Sequence, residues 1–99
     1  MTNITIEASD GGWCMVAEGH AGYNPGGPDI VCAAVSMVCC ALEKTIHQLG
    51  QAVSRRDSGR FMLKCWPDSP MIWGAIQMGK TALAMIAETY PEHVKITYK

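Results

Sequence analysis

The feature that most constrains this chain is a long apolar stripe in its first half. Valine, leucine and isoleucine recur there at steps of three and four residues, at Val31, Val35, Val38, Leu42, Ile46, Leu49 and Val53. This spacing places them on one face of an α-helix, which must bury that face against other elements. The sequence therefore predicts a long helix from Ile30 to about Val53.

Alternating apolar and polar side chains predict strands on both sides of this helix. The strand segments are Thr2–Ala8, Trp13–Gly19, Arg60–Trp66 and His93–Tyr98. Asp10–Gly11–Gly12 predicts a hairpin turn between the first two, because these residues tolerate the positive φ of tight turns. Asp57–Ser58–Gly59 is interpreted as the end of the long helix.

A second helix is predicted to begin at Pro70, since Ser69 suits the N-cap and proline suits the first helical position. Its apolar face continues to Tyr90, and Pro91 stops it. The order β-β-α-β-α-β predicts an α+β fold, a two-layer sandwich whose four-stranded sheet carries two helices on one face. If Trp13, Trp66 and Tyr98 formed an exposed patch, it would suggest a partner or self-association face.

Length and charge narrow the function classes. The 99 residues suit a single domain over residues 1–99, and a formal net charge of −1 gives no field toward nucleic acid or an anionic membrane. No apolar run is expected to reach the length of a membrane span, and the start of the chain does not resemble a signal peptide. We therefore expect a soluble, cytoplasmic protein with no nucleic-acid or membrane partner.

The number and spacing of the cysteines argue against a fold held together by disulfides or by a structural zinc ion. The five cysteines are an odd number without a secretion signal, which argues against disulfides. No C-x-x-C or H-x-x-x-H spacing supports a zinc site, so no metal or other cofactor is expected. Most of these cysteines are interpreted as buried apolar residues, with at most one in a special role.

Cys32 is the cysteine whose position suits chemistry. With Asp29 as N-cap, Cys32 is the third helical residue, where the helix N-terminus favours a thiolate and amide N–H groups could hold an oxyanion. His20 lies eleven residues earlier, at the end of a strand, and could serve as its proton acceptor. His47 and His93 are judged poorly placed for that role by their positions along the chain. Spacing alone does not establish a dyad, because the fold sets Cys–His distances.

The run around these residues resembles the signature of the ribosomal-processing cysteine protease family. The motif G-H-A, five variable residues and G-x-D-I-V-C-A-A-V-S stands here as Gly19–Ala21, Gly27 and Asp29–Ser36. The closing segment Glu88–Lys99 is also similar to that family, so the resemblance extends over essentially the whole chain. Three features are particular to this chain: the loop 22–26, Pro28 and the Cys39–Cys40 pair.

The resemblance implies a cysteine endopeptidase with a Cys32–His20 dyad. Its implied substrate is a large-subunit ribosomal protein precursor, which loses a short N-terminal extension before it joins the ribosome. A phage capsid protein is a second possible substrate, and a homodimer is the implied assembly. The alternatives are a non-enzymatic ribosome-assembly binding module, in which Cys32 is structural, and, ranked last, a redox-responsive thiol protein.

Two further sets of residues are assigned around the dyad. Asp29 could orient His20, but the N-cap role with a secondary electrostatic effect is favoured. Ser36, one turn beyond Cys32, could support the site by a hydrogen bond or ease packing. The glycines of the connecting loop lack the spacing of a phosphate cradle and are assigned to a mobile substrate loop: Gly22, Gly26 and Gly27.

Overall fold

The chain folds as a five-stranded sheet with two helices on one face. The computed structural model describes residues 1–99. The elements in chain order are β1 (Thr2–Ser9), β2 (Gly12–Glu18), α1 (Ile30–Leu49), β3 (Ala52–Asp57), β4 (Arg60–Cys65), α2 (Pro70–Thr89) and β5 (Val94–Tyr98). The spatial strand order is β3-β4-β2-β1-β5, and only the β1–β5 pair is parallel. The predicted α+β class is confirmed, whereas the predicted four-stranded sheet and element order are wrong.

The missed strand, β3, lies where the long helix was predicted to continue. Helix α1 ends at Leu49, and the N–H of the C-cap Gly50 donates to the Ile46 carbonyl at 3.0 Å. A Cβ at position 50 would lie only 2.7 Å from the end of the Ile72 side chain, so a larger residue there would require that side chain to shift. Val53 continues the helical spacing only by coincidence, because it belongs to β3 and is 51% exposed.

The segment interpreted as the helix end is instead a hairpin turn between β3 and β4. Asp57 pairs with Arg60 across the two-residue turn Ser58–Gly59. Gly59 adopts φ +73°, a conformation that costs other residues free energy. The turn residues were recognised in the sequence, but the edge strand that precedes them carries too few apolar residues to stand out.

The core lies between the helices and the inner face of the sheet. Helix α1 buries its predicted stripe as far as Ile46, except for Val38, which is partly buried. Helix α2 buries Ile72, Ile76 and Leu83. Trp13 faces these helices and is 2% exposed, while Trp66 and Tyr98 lie at the sheet margin. The three aromatic residues therefore form no common exposed patch. The condition for that suggested interface is therefore not met, because Trp13 points inward.

By length and composition α1 could cross a membrane, which contradicts the expectation that no apolar run is long enough. Its mean hydropathy is 1.6. Its inward stripe nevertheless packs in the core beside α2 and the sheet, the arrangement of a core helix. The stripe's solvent-facing neighbours include the exposed Met37.

One end of the sheet gathers segments that are distant in the sequence. The parallel pairing places Thr2 beside Val94, and the hairpin places Asn3 beside Glu18. The N–H of Gly19, just after β2, donates to the Gly59 carbonyl in the β3–β4 turn at 2.9 Å. The end of β2, the start of β5 and the β3–β4 turn therefore meet, and the chain then crosses to the start of α1.

Candidate active site

A cleft of about 320 Å³ opens at this end of the sheet. Its walls come from the strand ends, the β3–β4 turn and the first turns of α1. The lining residues are Thr2, Ala17, Gly19, His20, Cys32, Val35, Ser36, Cys39, Arg56, Asp57, Gly59, Arg60 and Phe61. The structure thus brings His20, Cys32 and Ser36 to one cavity, as the sequence pattern predicted for the first two.

Asp29 fixes the start of α1 beneath Cys32. Its Oδ1 accepts hydrogen bonds from the amides of Val31 (3.0 Å) and Cys32 (2.9 Å), and its Oδ2 accepts from the Tyr23 amide at 3.1 Å. These bonds lower the pKa of Asp29, and the Cys32 amide has the largest effect. The N-cap is thus the role that the structure gives Asp29. Its carboxylate ties the loop to the helix and makes no hydrogen bond to His20.

The N-cap also corrects the expected oxyanion site. The amides of Val31 and Cys32 were candidates to receive an oxyanion at the helix start. Both already donate to Asp29, so neither is free to do so in this arrangement. The donor nearest the Cys32 sulfur comes from another part of the chain.

That donor is the backbone of Ala21. Its N–H donates to Cys32 Sγ at 3.1 Å, and Ala21 itself is buried, 2% exposed. His20, one residue earlier, is exposed and makes no hydrogen bond to Cys32. Its Nε2 lies 3.8 Å from where a Cβ of Gly59 would be, so the ring sits beside the β3–β4 turn. The two side chains share the cleft but are held differently.

Gly19 explains why the chain can turn into the cleft immediately before His20. It adopts φ +90°, and a Cβ there would lie 2.5 Å from the Met1 carbonyl oxygen. Both the backbone conformation and the close approach therefore require glycine. This role was not recognised in the sequence, where Gly19 appeared only as part of the motif.

His93 is a second residue that sequence reasoning missed. Its Nδ1 lies 3.0 Å from the Ala21 carbonyl oxygen, and because a carbonyl only accepts, Nδ1 donates. Tyr23 makes T-shaped contacts with both His93 and Tyr90, with ring centroids 5.5 and 5.4 Å away. His93 was judged poorly placed because its approach depends on the parallel β1–β5 pairing, which no local pattern reveals.

The remaining cysteines differ from Cys32 in their surroundings. Burial raises the pKa of the Cys39 thiol to about 11, and it also raises the pKa values of Cys14 and Cys65. Cys40 does not line the cleft, and it accepts a hydrogen bond from the Arg56 guanidinium at 3.2 Å. Three of the five thiols are therefore kept neutral and less nucleophilic by burial.

The other predicted residues lie at the rim or outside the cleft. Ser36 lines the cleft, is exposed and makes no side-chain hydrogen bond. Gly22, Gly26 and Gly27 lie in the exposed loop before α1, and none of them lines the cleft. No group of three or more His, Cys, Asp or Glu side chains is placed to hold a metal ion.

A cysteine on the first turn of a helix and a histidine in the same cleft are the components of a thiol hydrolase. The family model described as "Cysteine protease Prp" matches residues 1–95. The chain belongs to the cysteine protease Prp family and is a cysteine protease. Family membership therefore favours an enzyme over the non-enzymatic binding module. No curated protein sequence gives a significant match.

Solved structures share the fold over nearly the whole chain. The Staphylococcus aureus ribosomal processing protease Prp with a covalently linked product peptide has a TM-score of 0.89, 25% identity and full coverage of both chains. The same protease with a substrate peptide gives 0.79 and 24% over both full chains. SMU.848 from Streptococcus mutans gives 0.72 and 24%, over 99% of this chain and 93% of that one. The last two matches bear on the fold alone.

Proposed function

We propose that this protease removes a short N-terminal extension from a large-subunit ribosomal protein precursor, with Cys32 as nucleophile and His20 as general acid and base. The observation that carries the proposal is the shared cleft of Cys32 and His20 in a chain of the Prp family. Cys32 is also held in place, since it stands on the capped first turn of α1 and its sulfur accepts a hydrogen bond from the Ala21 amide.

The reaction follows from these two side chains. His20 accepts the Cys32 thiol proton, and the thiolate forms a C–S bond to the scissile carbonyl while the carbonyl π electrons move to oxygen. The intermediate collapses, the C–N bond breaks, and His20 returns its proton to the leaving amine. Water then attacks the thioester, His20 accepts its proton, and the acid product leaves as Cys32 regains a proton.

His20 must approach Cys32 Sγ for the first proton transfer. Its ring is exposed and free of hydrogen bonds, so a side-chain rotation from the β3–β4 turn toward the sulfur meets no competing partner. Such catalytic contacts are often loose in the free enzyme and tighten in the substrate complex. The glycine-containing loop before α1, with Gly22, Gly26 and Gly27, is proposed to close over the bound peptide.

The ribosomal substrate is proposed from the signature and from the relative. The similar Staphylococcus aureus structure is described as an essential ribosomal processing protease bound to a product peptide. The same site chemistry would also cut a phage capsid protein, because the mechanism uses only the peptide bond. The substrate assay below therefore carries both precursors.

The test is mass spectrometry of two precursors, a large-subunit ribosomal protein and a phage capsid protein, each incubated separately with wild type, Cys32→Ala and Cys40→Ala. We expect a single N-terminal fragment with wild type and Cys40→Ala, and none with Cys32→Ala. Cys40 is the matched control because it is partly exposed on the same helix but lies outside the cleft. Cleavage by Cys32→Ala would contradict the assignment, and cleavage of a capsid precursor alone would replace the substrate.

The cytoplasmic location and the homodimer are also proposed. Five free cysteines suit a reducing compartment. The exposed apolar groove between α1 and α2, about 240 Å³ and flanked by Met37 and Met78, supports association of two copies. Light scattering of the purified protein should give twice the mass of one chain, and Met78→Glu should shift it toward the monomer. A monomeric wild type would contradict the dimer.

A further inference from the structure

The observation behind this inference is that one backbone residue links the nucleophile to the far end of the chain. Ala21 donates its N–H to Cys32 Sγ at 3.1 Å and accepts from His93 Nδ1 at 3.0 Å through its carbonyl. Both peptide groups that flank the Ala21 Cα are therefore fixed. Ala21 is also buried, which makes hydrogen bonds there stronger than in water.

We propose that the Ala21 backbone N–H is the oxyanion donor of this protease, and that His93 is the positioning residue that holds it. The proposal rests on the proposed nucleophile, Cys32. When the thiolate forms its C–S bond, the carbonyl oxygen gains the displaced π electrons directly beside the sulfur. An N–H that already points at the sulfur is then within reach of that oxygen, at the roughly 2.7–3.1 Å expected of an oxyanion donor.

The usual source of such donors is occupied in this chain. The first-turn amides of Val31 and Cys32 both donate to Asp29 Oδ1. The Ala21 amide, by contrast, gives its hydrogen bond to the group that reacts. Its partner changes from sulfur to oxygen as the adduct forms, so the donor stays satisfied throughout the step.

His93 is suited to hold this amide because its own backbone is fixed. Its carbonyl accepts from the Thr2 amide of β1 at 2.9 Å, and its N–H donates to the Tyr90 carbonyl at 3.0 Å. Its ring also makes a T-shaped contact with Tyr23, two residues beyond Ala21. The segment after β2 is therefore held in place by its contacts with the start of β5 and with the end of α2.

The test separates the hydrogen bond of His93 from the bulk of its ring. His93→Phe keeps the aromatic contact with Tyr23 but removes the donor, whereas His93→Asn retains an N–H donor near the position of Nδ1. His47→Phe is the matched control, since that imidazole bonds only Ser54 and lies outside the cleft. Thermal unfolding of every variant monitors the fold.

Three readouts are measured on these variants. The first is kcat and KM for a peptide that spans the extension junction of the ribosomal precursor. The second is inhibition by a peptide aldehyde of the same sequence, which forms an oxyanion on Cys32. The third is the rate at which iodoacetamide alkylates Cys32, located by peptide mapping, because this displacement creates no oxyanion.

We expect His93→Phe to lower kcat about 10-fold to 100-fold with KM nearly unchanged, and to weaken the aldehyde by a similar factor. The alkylation rate should stay within about twofold of wild type, and His93→Asn should restore most of kcat. A wild-type kcat in His93→Phe, or an equal fall in cleavage and alkylation, would overturn the inference. Cleavage by Cys32→Ala would instead overturn the proposed nucleophile, so the two failures are distinct.

Discussion

Cys32 and His20 line one cleft, yet the protein holds them in opposite ways. Cys32 stands in the first turn of α1, its amide bound to Asp29 and its sulfur to the Ala21 amide. His20 is exposed, makes no hydrogen bond and rests beside the β3–β4 turn. For the proposed reaction, this difference predicts that folding sets the nucleophile in place and that the bound peptide brings the base to it.

This contrast predicts that substitutions around Cys32 and substitutions of His20 affect different properties, stability in the first case and catalysis in the second. Residues that hold Cys32 also hold the loop and the start of α1, so substitutions there should lower the free energy of unfolding. His20 contributes little to packing, so its loss should affect turnover alone. The following substitutions test this division, in order of decreasing expected effect.

The largest effect is expected for His20→Ala. Loss of the general acid and base should lower kcat/KM about 100-fold to 10,000-fold. The free energy of unfolding should change by less than about 0.5 kcal/mol, because the exposed ring has no partner to lose. Peptide cleavage kinetics and urea unfolding measure the two quantities, with His47→Ala as the control histidine. A large loss of stability would show that His20 is held as firmly as Cys32.

An intermediate effect, on the free energy of unfolding, is expected for Gly19→Ala. The left-handed backbone costs an alanine about 1–2 kcal/mol, and its Cβ would also meet the Met1 carbonyl oxygen at 2.5 Å. Gly22→Ala is the matched control, since Gly22 has φ +70° but no atom near the added Cβ. Urea unfolding should therefore rank Gly19→Ala as less stable than Gly22→Ala. Equal losses of stability in the two variants would mean that the Met1 backbone moves away from the added Cβ at no cost in free energy.

The smallest effect is expected at Asp29, chiefly on stability. Asp29→Ala loses the cap and the Tyr23 tie, whereas Asp29→Asn keeps an oxygen for the Val31 and Cys32 amides. Thermal unfolding at neutral pH should therefore place Asp29→Asn between wild type and Asp29→Ala. An Asp29→Ala variant as stable as wild type would contradict the claim that the Asp29 N-cap stabilises the fold.

The pH dependence at Asp29 follows from its lowered pKa. Its folded-state value lies below the ordinary 3.8 because the amides stabilise the carboxylate, the Cys32 amide most of all. The unfolded chain therefore binds the proton first, so the contribution is complete above 3.8 and is lost as pH falls through the folded value. Wild type should lose its advantage over Asp29→Asn in that acidic window. An advantage that persists there would contradict the assigned cause.

The sequence predicts the parts of this site that depend on local patterns. The stripe from Val31 to Ile46 predicts α1, and the position of Asp29 predicts its N-cap. His20 and Cys32 were paired from the strand end, the helix start and the family resemblance, and both line the cleft. Each of these features involves residues close together in the chain.

What the sequence does not predict depends on contacts between distant segments. Strand β3 is an edge strand, and Val53 happens to match the helical spacing, so its pairing with β4 is needed to recognise it. His93 reaches Ala21 only through the parallel β1–β5 pairing, a contact across 72 positions. The requirement for glycine at position 19 likewise comes from the Met1 backbone. Met1 is 18 positions earlier in the chain, and the β1–β2 hairpin brings it beside Gly19.

The most direct measurement is to trap the covalent intermediate on the nucleophile. Wild type is mixed with the ribosomal precursor, quenched in acid within one turnover, and examined by intact-protein mass spectrometry and peptide mapping. The expected species is the enzyme plus the N-terminal fragment minus one water, a thioester located on Cys32. Cleavage with no enzyme-bound fragment, or a fragment mapped to Cys40, would contradict the assignment of Cys32.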